Sequence, residues 1–135
     1  MNNGTVLNKM INIYQPNGRD WMGYKMTKDN PYTYHHIKEK RNGGGVTIGN
    51  GAILTKQAHR DLNELDQYCP EAYEDYQAVF RYINSLHGPI PEDIYDELME
   101  YIEELALDIY ERNGYEFSKR PVSFKKKREQ KTFKL

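Results

Sequence analysis

The stretch of sequence that decides the fold runs from residue 32 to residue 66 and reads YTYHHIKEKRNGGGVTIGNGAILTKQAHRDLNELD. Its first six residues are rich in β-forming side chains and predict a strand. The glycines at 43–45 permit a tight turn, and residues 46–54 predict a returning strand that Gly49-Asn50-Gly51 interrupts. Thr55 is a suitable N-cap for a helix that we expect to end near residue 68, because apolar residues then recur at helical spacing.

The rest of the chain predicts two more helices, at about 70–86 and 92–113, each with an apolar stripe at spacings of three and four. Pro70 suits the first turn of one helix, and Asn113-Gly114 suits the end of the other. Residues 1–20 look irregular apart from an apolar patch at 10–14, and residues 21–26 are expected to form a short strand or to cover the core. The predicted fold class is therefore α+β, with a short antiparallel hairpin followed by three helices.

Length and composition predict one globular domain of a cytoplasmic protein. The 135 residues are 38% hydrophobic and 29% charged, and no apolar run approaches the roughly 18 residues of a membrane span or the core of a signal peptide. We expect the domain to cover residues 1–117 and a flexible basic tail to follow at 118–135. The single cysteine, Cys69, excludes an internal disulfide and a CxxC zinc pair, so we expect the fold to depend on packing alone.

Three of the four histidines lie within the deciding stretch, and their spacing favours a metal-dependent phosphodiesterase. Hydrolysis of a phosphodiester requires a base that takes a proton from water and a cation that stabilises charge on the phosphoryl oxygens. A histidine with an ordinary pKa of about 6.5 suits the first task. His35 and His36 point to opposite sides of a strand, whereas His59 and Asn63, four apart on a helix, share a face that can offer two ligands to one ion.

The combination of His-His-Ile, a triple-glycine loop, Asn50-Gly51-Ala52-Ile53-Leu54 and Ala58-His59 resembles the HNH, or ββα-metal, endonucleases. The resemblance covers residues 32–66, and extends weakly to about residue 85. It is closest to the small HNH proteins of phages and mobile elements from low-GC Gram-positive bacteria. It implies a ββα-metal core at about 32–68 and an enzyme that hydrolyses DNA.

The resemblance also implies a role for each site residue. His35, His59 and Asn63 are the implied metal ligands, and His36 is the implied general base. Asn50, fourteen residues after His36 and nine before His59, is implied to tie the loop between the strands to the backbone and so to orient the base. Asn63 stands where the family often has a second histidine, and its amide oxygen is a weaker ligand than an imidazole.

One divalent metal ion is the implied cofactor. The ligand set lacks a carboxylate and favours Zn²⁺, Ni²⁺ or Mn²⁺ in the site, while Mg²⁺ or Mn²⁺ can support turnover once the phosphate completes the coordination.

Charge is strongly segregated along the chain and indicates that its two ends bind a polyanion, whereas solvated helix faces explain the acidic middle segment as well. Residues 1–60 hold nine Lys or Arg against three Asp or Glu, residues 61–111 hold one against fifteen, and residues 112–135 hold nine against two. The cations expected to position phosphates are Lys38, Lys40, Arg41, Arg60, Lys125, Lys126, Lys127 and Arg128. A solubilising terminus explains the last four equally well.

Two other functions fit the sequence. A non-catalytic protein of the same fold can present its acidic middle segment as a mimic of DNA and occupy a host or phage protein, as inhibitors of defence nucleases do. A toxin nuclease is the third reading, and it predicts a cognate inhibitor encoded nearby. We expect no membrane partner. The apolar stripe from Ile94 to Ile109 can belong either to the core or to the interface of a homodimer, and the sequence leaves this open.

Overall fold

The computed structural model describes residues 2–113, and the side chains within them other than those of residues 68 and 106–113. In this range the fold is α+β, with four α-helices and a two-stranded antiparallel sheet. The elements are α1 (Asn3–Tyr14), β1 (Tyr32–His36), β2 (Gly51–Thr55), α2 (Lys56–Tyr68), α3 (Pro70–Ser85) and α4 (Glu92–Asn113). Two short 3-10 turns, Lys40–Asn42 and Ile48–Asn50, lie between the strands. The predicted tail at 118–135 lies outside the described residues.

The first helix corrects the expectation that residues 1–20 are irregular. The Asn2 side chain caps α1 by accepting a hydrogen bond of 2.8 Å from the Thr5 N–H. Val6, Met10 and Tyr14 are buried, and their spacing of four places them on one face of the helix. The sequence prediction was wrong because the apolar patch at 10–14 covers only part of the buried face, which also includes Val6 one turn earlier.

The returning strand is shorter than predicted. β2 starts at Gly51, and in the antiparallel register His35 faces Ala52 while His36 faces Gly51. Residues 48–50 form a 3-10 turn instead of strand, because the Thr47 side chain accepts a hydrogen bond from the Asn50 N–H. A Cβ atom at residue 51 would lie 2.5 Å from Tyr34 and 2.6 Å from the sulfur of Met10, so only glycine lets α1 pack this closely against the hairpin.

Residues 20–24 cover the core, which is one of the two outcomes expected for this segment. Trp21, Met22 and Tyr24 are buried. The buried Asp20 carboxylate organises the segment: Oδ1 accepts hydrogen bonds of 2.8 Å from both Met22 N–H and Tyr24 N–H, and Oδ2 accepts one of 2.7 Å from the Thr55 N–H. Asp20 thus joins this segment to the residue that starts α2.

The three later helices begin and end close to the predicted residues. Thr55 caps α2 as expected, since its hydroxyl oxygen accepts a hydrogen bond of 3.2 Å from the Ala58 N–H. Ala58, Leu62 and Leu65 on α2 are buried, and so are Tyr76, Phe80 and Ile83 on α3. None of the described helices has the length and apolar character that crossing a membrane requires. The hairpin packs against both α2 and α3, and this packing positions the predicted site.

Candidate functional site

The predicted metal and base residues lie around one cleft of about 510 Å³ between the end of β1 and α2. His35 and His36 are the last two residues of β1, while His59 and Asn63 come from successive turns of α2. The other side chains that line the cleft are Glu39, Lys40, Arg41, Asp66, Gln67 and Tyr73. Four residues predicted from separate parts of the sequence thus lie together in the fold.

His35 and His59 form a pair of adjacent rings. Their ring centroids are 5.3 Å apart and the ring planes are nearly perpendicular. His35 is only 4% exposed, and burial lowers its pKa to about 4. Burial also lowers the pKa of His59, and the nearby His36 adds to that effect. Both imidazoles are therefore neutral at pH 7, which is the form that binds a metal ion.

Each ring of the pair has a hydrogen-bond partner outside the set of residues predicted from the sequence. His35 Nε2 lies 2.7 Å from Oε1 of the buried Gln77 on α3, whose Nε2 donates to the Ile37 carbonyl. His59 Nδ1 lies 3.1 Å from Oγ1 of Thr33 on β1, and that hydroxyl donates to the Leu54 carbonyl at 2.8 Å. Each imidazole therefore has one ring nitrogen in a hydrogen bond with another side chain of the protein.

His36 is different, because its Nε2 atom is enclosed and has no hydrogen-bond partner among residues 2–113. Its ring packs edge-on against Tyr34, with centroids 4.9 Å apart. Tyr34 is held in turn by its hydroxyl group, which donates to the Thr47 carbonyl at 2.7 Å and accepts from the Thr47 N–H at 3.1 Å. An unpartnered imidazole nitrogen on a firmly held ring is suited to accept a proton.

Asn50 connects the two ends of the loop between the strands. Its Oδ1 accepts from the Lys38 N–H at 2.7 Å, and its Nδ2 donates to the Lys38 carbonyl at 3.0 Å and to the Gly45 carbonyl at 2.9 Å. The Asn50 carbonyl also accepts from the Ile37 N–H at 2.8 Å. Asn50 therefore holds the backbone of Ile37 and Lys38, the two residues directly after His36, by hydrogen bonds.

Gly44→Ala is expected to break this connection, whereas Gly45→Ala is not. A Cβ atom on residue 44 would lie 1.7 Å from the Lys38 carbonyl oxygen and 2.9 Å from Asn50 Nδ2, so the loop has to move away from Asn50. At residue 45 the nearest atom is a Thr47 methyl carbon at 3.8 Å, an ordinary contact. For the nuclease activity that the sequence predicts, we expect plasmid nicking to fall by about 10- to 100-fold in Gly44→Ala. Equal rates in the two variants would show that the loop does not serve the site.

The predicted DNA-contacting cations fall into three groups. Lys38, Lys40 and Arg41 are exposed on the loop after His36, and Arg41 forms an ion pair with Glu39. Arg60 is exposed on α2, next to His59, and is not among the residues that line the cleft. Lys125, Lys126, Lys127 and Arg128 lie outside the described residues.

Sequence reasoning missed Gln77, Thr33, Tyr34 and Tyr73. Gln77 had a detectable signal, since it is a polar residue within the apolar stripe of α3. Thr33 had one as well, because alternation along β1 places it on the same side as His35. Tyr73 lines the cleft, and burial, followed by the charges of Glu39, Asp66 and Glu74, raises its pKa to about 12. Its phenol stays protonated near pH 7 and can donate a hydrogen bond but cannot act as a base.

The cleft offers few donors for a divalent ion. Within residues 2–113 no three His, Cys, Asp or Glu side chains are grouped to hold a metal. The donors among the predicted ligands are two neutral imidazoles and the amide of Asn63, which lines the same cleft and is exposed, while the carboxylates of Glu39 and Asp66 also line it. Such a set leaves coordination positions for water and phosphate oxygens, as catalytic metal sites do.

Comparisons of this chain with protein-family models, with curated proteins and with solved structures find no match. The geometry of the cleft and the resemblance of residues 32–66 to the HNH pattern are therefore the observations on which a function can be argued.

Proposed function

We propose that this protein is a metal-dependent endonuclease of the HNH type, which hydrolyses phosphodiester bonds in DNA. One observation carries the proposal: His35, His36, His59 and Asn63 come from two elements and line a single cleft, in the order and spacing of the HNH pattern. The strand–loop–strand–helix order of residues 32–68 supports it, because that is the order of a ββα-metal unit.

In this proposal His36 is the general base. Its Nε2 is enclosed and has no hydrogen-bond partner within residues 2–113, so no protein group competes for this nitrogen when a water molecule reaches it. Packing against Tyr34 restricts the ring, and the hydrogen bonds of Asn50 fix the backbone that follows it. Orientation matters because a proton acceptor works only within hydrogen-bond reach of the water that it activates.

His35, His59 and Asn63 would hold the divalent ion. When bound, the ion would neutralise charge on the phosphoryl and leaving oxygens. Burial of the two histidines keeps them neutral near pH 7, so no proton has to be displaced before the ion is bound. Lys38 and Lys40, exposed beside the cleft, would hold the DNA backbone without reading its sequence.

The test is cleavage of a supercoiled plasmid by metal-stripped protein, resupplied separately with Mg²⁺, Mn²⁺, Ni²⁺ and Zn²⁺. Nicked circles are the expected product, because one cleft cuts one strand, and no product is expected without metal. A single-stranded DNA substrate and a double-stranded one of the same sequence define the substrate form. Absence of cleavage by folded protein with every metal and both substrates would refute the proposal.

A binding function is the second candidate, and the surface of α4 favours it. Six carboxylate side chains are exposed along this helix: Glu92, Asp93, Asp96, Glu97, Glu100 and Glu104. Regularly spaced negative charge can imitate DNA phosphates and occupy a nucleic-acid-binding protein of the host or of a phage. This candidate predicts that folded protein neither cuts nor retards DNA, and that it binds a protein in a salt-dependent manner.

A further inference from the structure

We propose that Gln77 and Thr33 are positioning residues that fix the tautomers of His35 and His59, so that a metal ion meets Nδ1 of His35 and Nε2 of His59. The inference rests on the proposed function, since it specifies how the same cleft binds its metal. Nothing in the HNH sequence pattern points to either residue, because Gln77 comes from α3 and Thr33 precedes the histidine pair.

The environment of Gln77 assigns the proton on His35. The Gln77 side chain bridges His35 Nε2, at 2.7 Å, and the Ile37 carbonyl. A carbonyl oxygen only accepts hydrogen bonds, so the amide NH₂ of Gln77 must face Ile37 and its Oε1 must face the histidine. Oε1 is also only an acceptor, and therefore His35 carries its proton on Nε2. The lone pair of this neutral ring is left on Nδ1.

The environment of Thr33 assigns the proton on His59 by the same reasoning. Thr33 Oγ1 has one proton and lies 2.8 Å from the Leu54 carbonyl and 3.1 Å from His59 Nδ1. The proton has to lie between the two oxygens, because the carbonyl has none to offer. The hydroxyl is then an acceptor toward the ring, so His59 carries its proton on Nδ1 and its lone pair on Nε2.

With these tautomers, each histidine directs its N–H to a protein oxygen and keeps its lone pair on the other ring nitrogen, as metal ligands do. A ligating histidine usually donates its other N–H to an oxygen, and that bond fixes the tautomer and raises the basicity of the ligating nitrogen. Here each ring already makes that bond, one through α3 and the other through β1. Because Gln77 is 3% exposed and also bonded to Ile37, it cannot move without breaking a second hydrogen bond. The metal-free protein thus has both ligands set in the binding form.

The first experiment reads the tautomers directly, in metal-free protein, by long-range ¹H–¹⁵N correlation NMR of the imidazole nitrogens at pH 7.5. In the wild type, His35 is expected to be protonated on Nε2 and His59 on Nδ1. Thr33→Val removes the acceptor for His59 and is expected to change the tautomer of that ring alone. Thr33→Ser retains the hydroxyl and is expected to restore it. The opposite tautomer at either histidine of the wild type would overturn the inference.

The second experiment measures Zn²⁺ affinity by calorimetry, with Zn²⁺ alone as the probe and no DNA. Gln77→Met has nearly the same size but no acceptor for His35, while Gln77→Glu keeps that acceptor and loses the donor to the Ile37 carbonyl. We expect Gln77→Met and Thr33→Val each to weaken Zn²⁺ binding by about 10- to 100-fold, and Gln77→Glu and Thr33→Ser to weaken it less. Unchanged affinity in both Gln77→Met and Thr33→Val would overturn the inference and leave the proposed function standing. A wild-type protein that binds no Zn²⁺ would overturn the proposed metal site itself.

Discussion

His36→Ala is expected to lose plasmid cleavage by about two to four orders of magnitude while its affinity for Zn²⁺ stays at the wild-type level. The reason is that, in the proposed mechanism, His36 would supply the proton acceptor, whereas His35, His59 and Asn63 would hold the metal ion. The His36 ring packs against Tyr34 and is not part of the His35–His59 pair, so its removal is expected to leave that pair in place. The measurement is the initial rate of nicking with saturating Mn²⁺, beside calorimetric titration with Zn²⁺.

His87→Asn is the matched control for this prediction. His87 is exposed and has a φ of 54°, a left-handed conformation that asparagine adopts readily. Its replacement removes a histidine without touching the cleft, and the cleavage rate should stay at the wild-type level. Cleavage by His36→Ala at the rate of His87→Asn would remove His36 from the mechanism.

Asp20→Asn is expected to lower the free energy of unfolding by about 3 kcal/mol. Both carboxylate oxygens of Asp20 accept backbone N–H groups, from Met22 and Tyr24 on one side and from Thr55 on the other. An asparagine NH₂ in either orientation faces an N–H donor and leaves it buried without an acceptor. Burial raises the pKa of Asp20 to about 6, so the comparison is made at pH 8, where the wild-type carboxylate is ionised. Urea unfolding followed by circular dichroism measures the difference.

The control for Asp20→Asn is Asp29→Asn, the same substitution at an exposed loop residue. Exposed substitutions of this kind change stability by less than about 0.5 kcal/mol. Equal stability of the two variants would show that the Asp20 carboxylate does not hold residues 20–24 against the start of α2.

Elements with a local physical signal could be predicted from the sequence. The N-cap at Thr55 and the apolar stripes of α2 and α3 predicted those helices closely, because each signal lies within its own segment. The first helix was missed because its buried face consists of only three residues, Val6, Met10 and Tyr14. β2 was predicted too long because the turn at residues 48–50 depends on a side-chain cap from Thr47. The ββα-metal identity of the hairpin and α2 stays a prediction.

The residues of the candidate site that lie in neighbouring segments could be predicted from the sequence, because their spacing is a local signal. The spacing of His35, His36, His59 and Asn63 reflects a strand and a helix that are neighbours in sequence, so a local pattern is enough to select them. Gln77 lies 42 residues from His35, and its contact with the ring depends on how α3 packs against the hairpin. No local pattern encodes that packing. The assignment of each ring proton therefore required the fold.

The most direct test of the account compares how cleavage by His36→Ala and by His59→Ala responds to Mn²⁺ concentration. The cleft is proposed to contain a base and a metal site with different residues, so the two variants should fail differently. His59→Ala is expected to regain cleavage when Mn²⁺ is raised by about tenfold or more, because a weakened site can still be filled. His36→Ala is expected to remain inactive at every Mn²⁺ concentration at which wild-type protein cuts. Recovery of both variants with metal, or absence of cleavage by the wild type, would contradict the assignment of a histidine base beside a metal site.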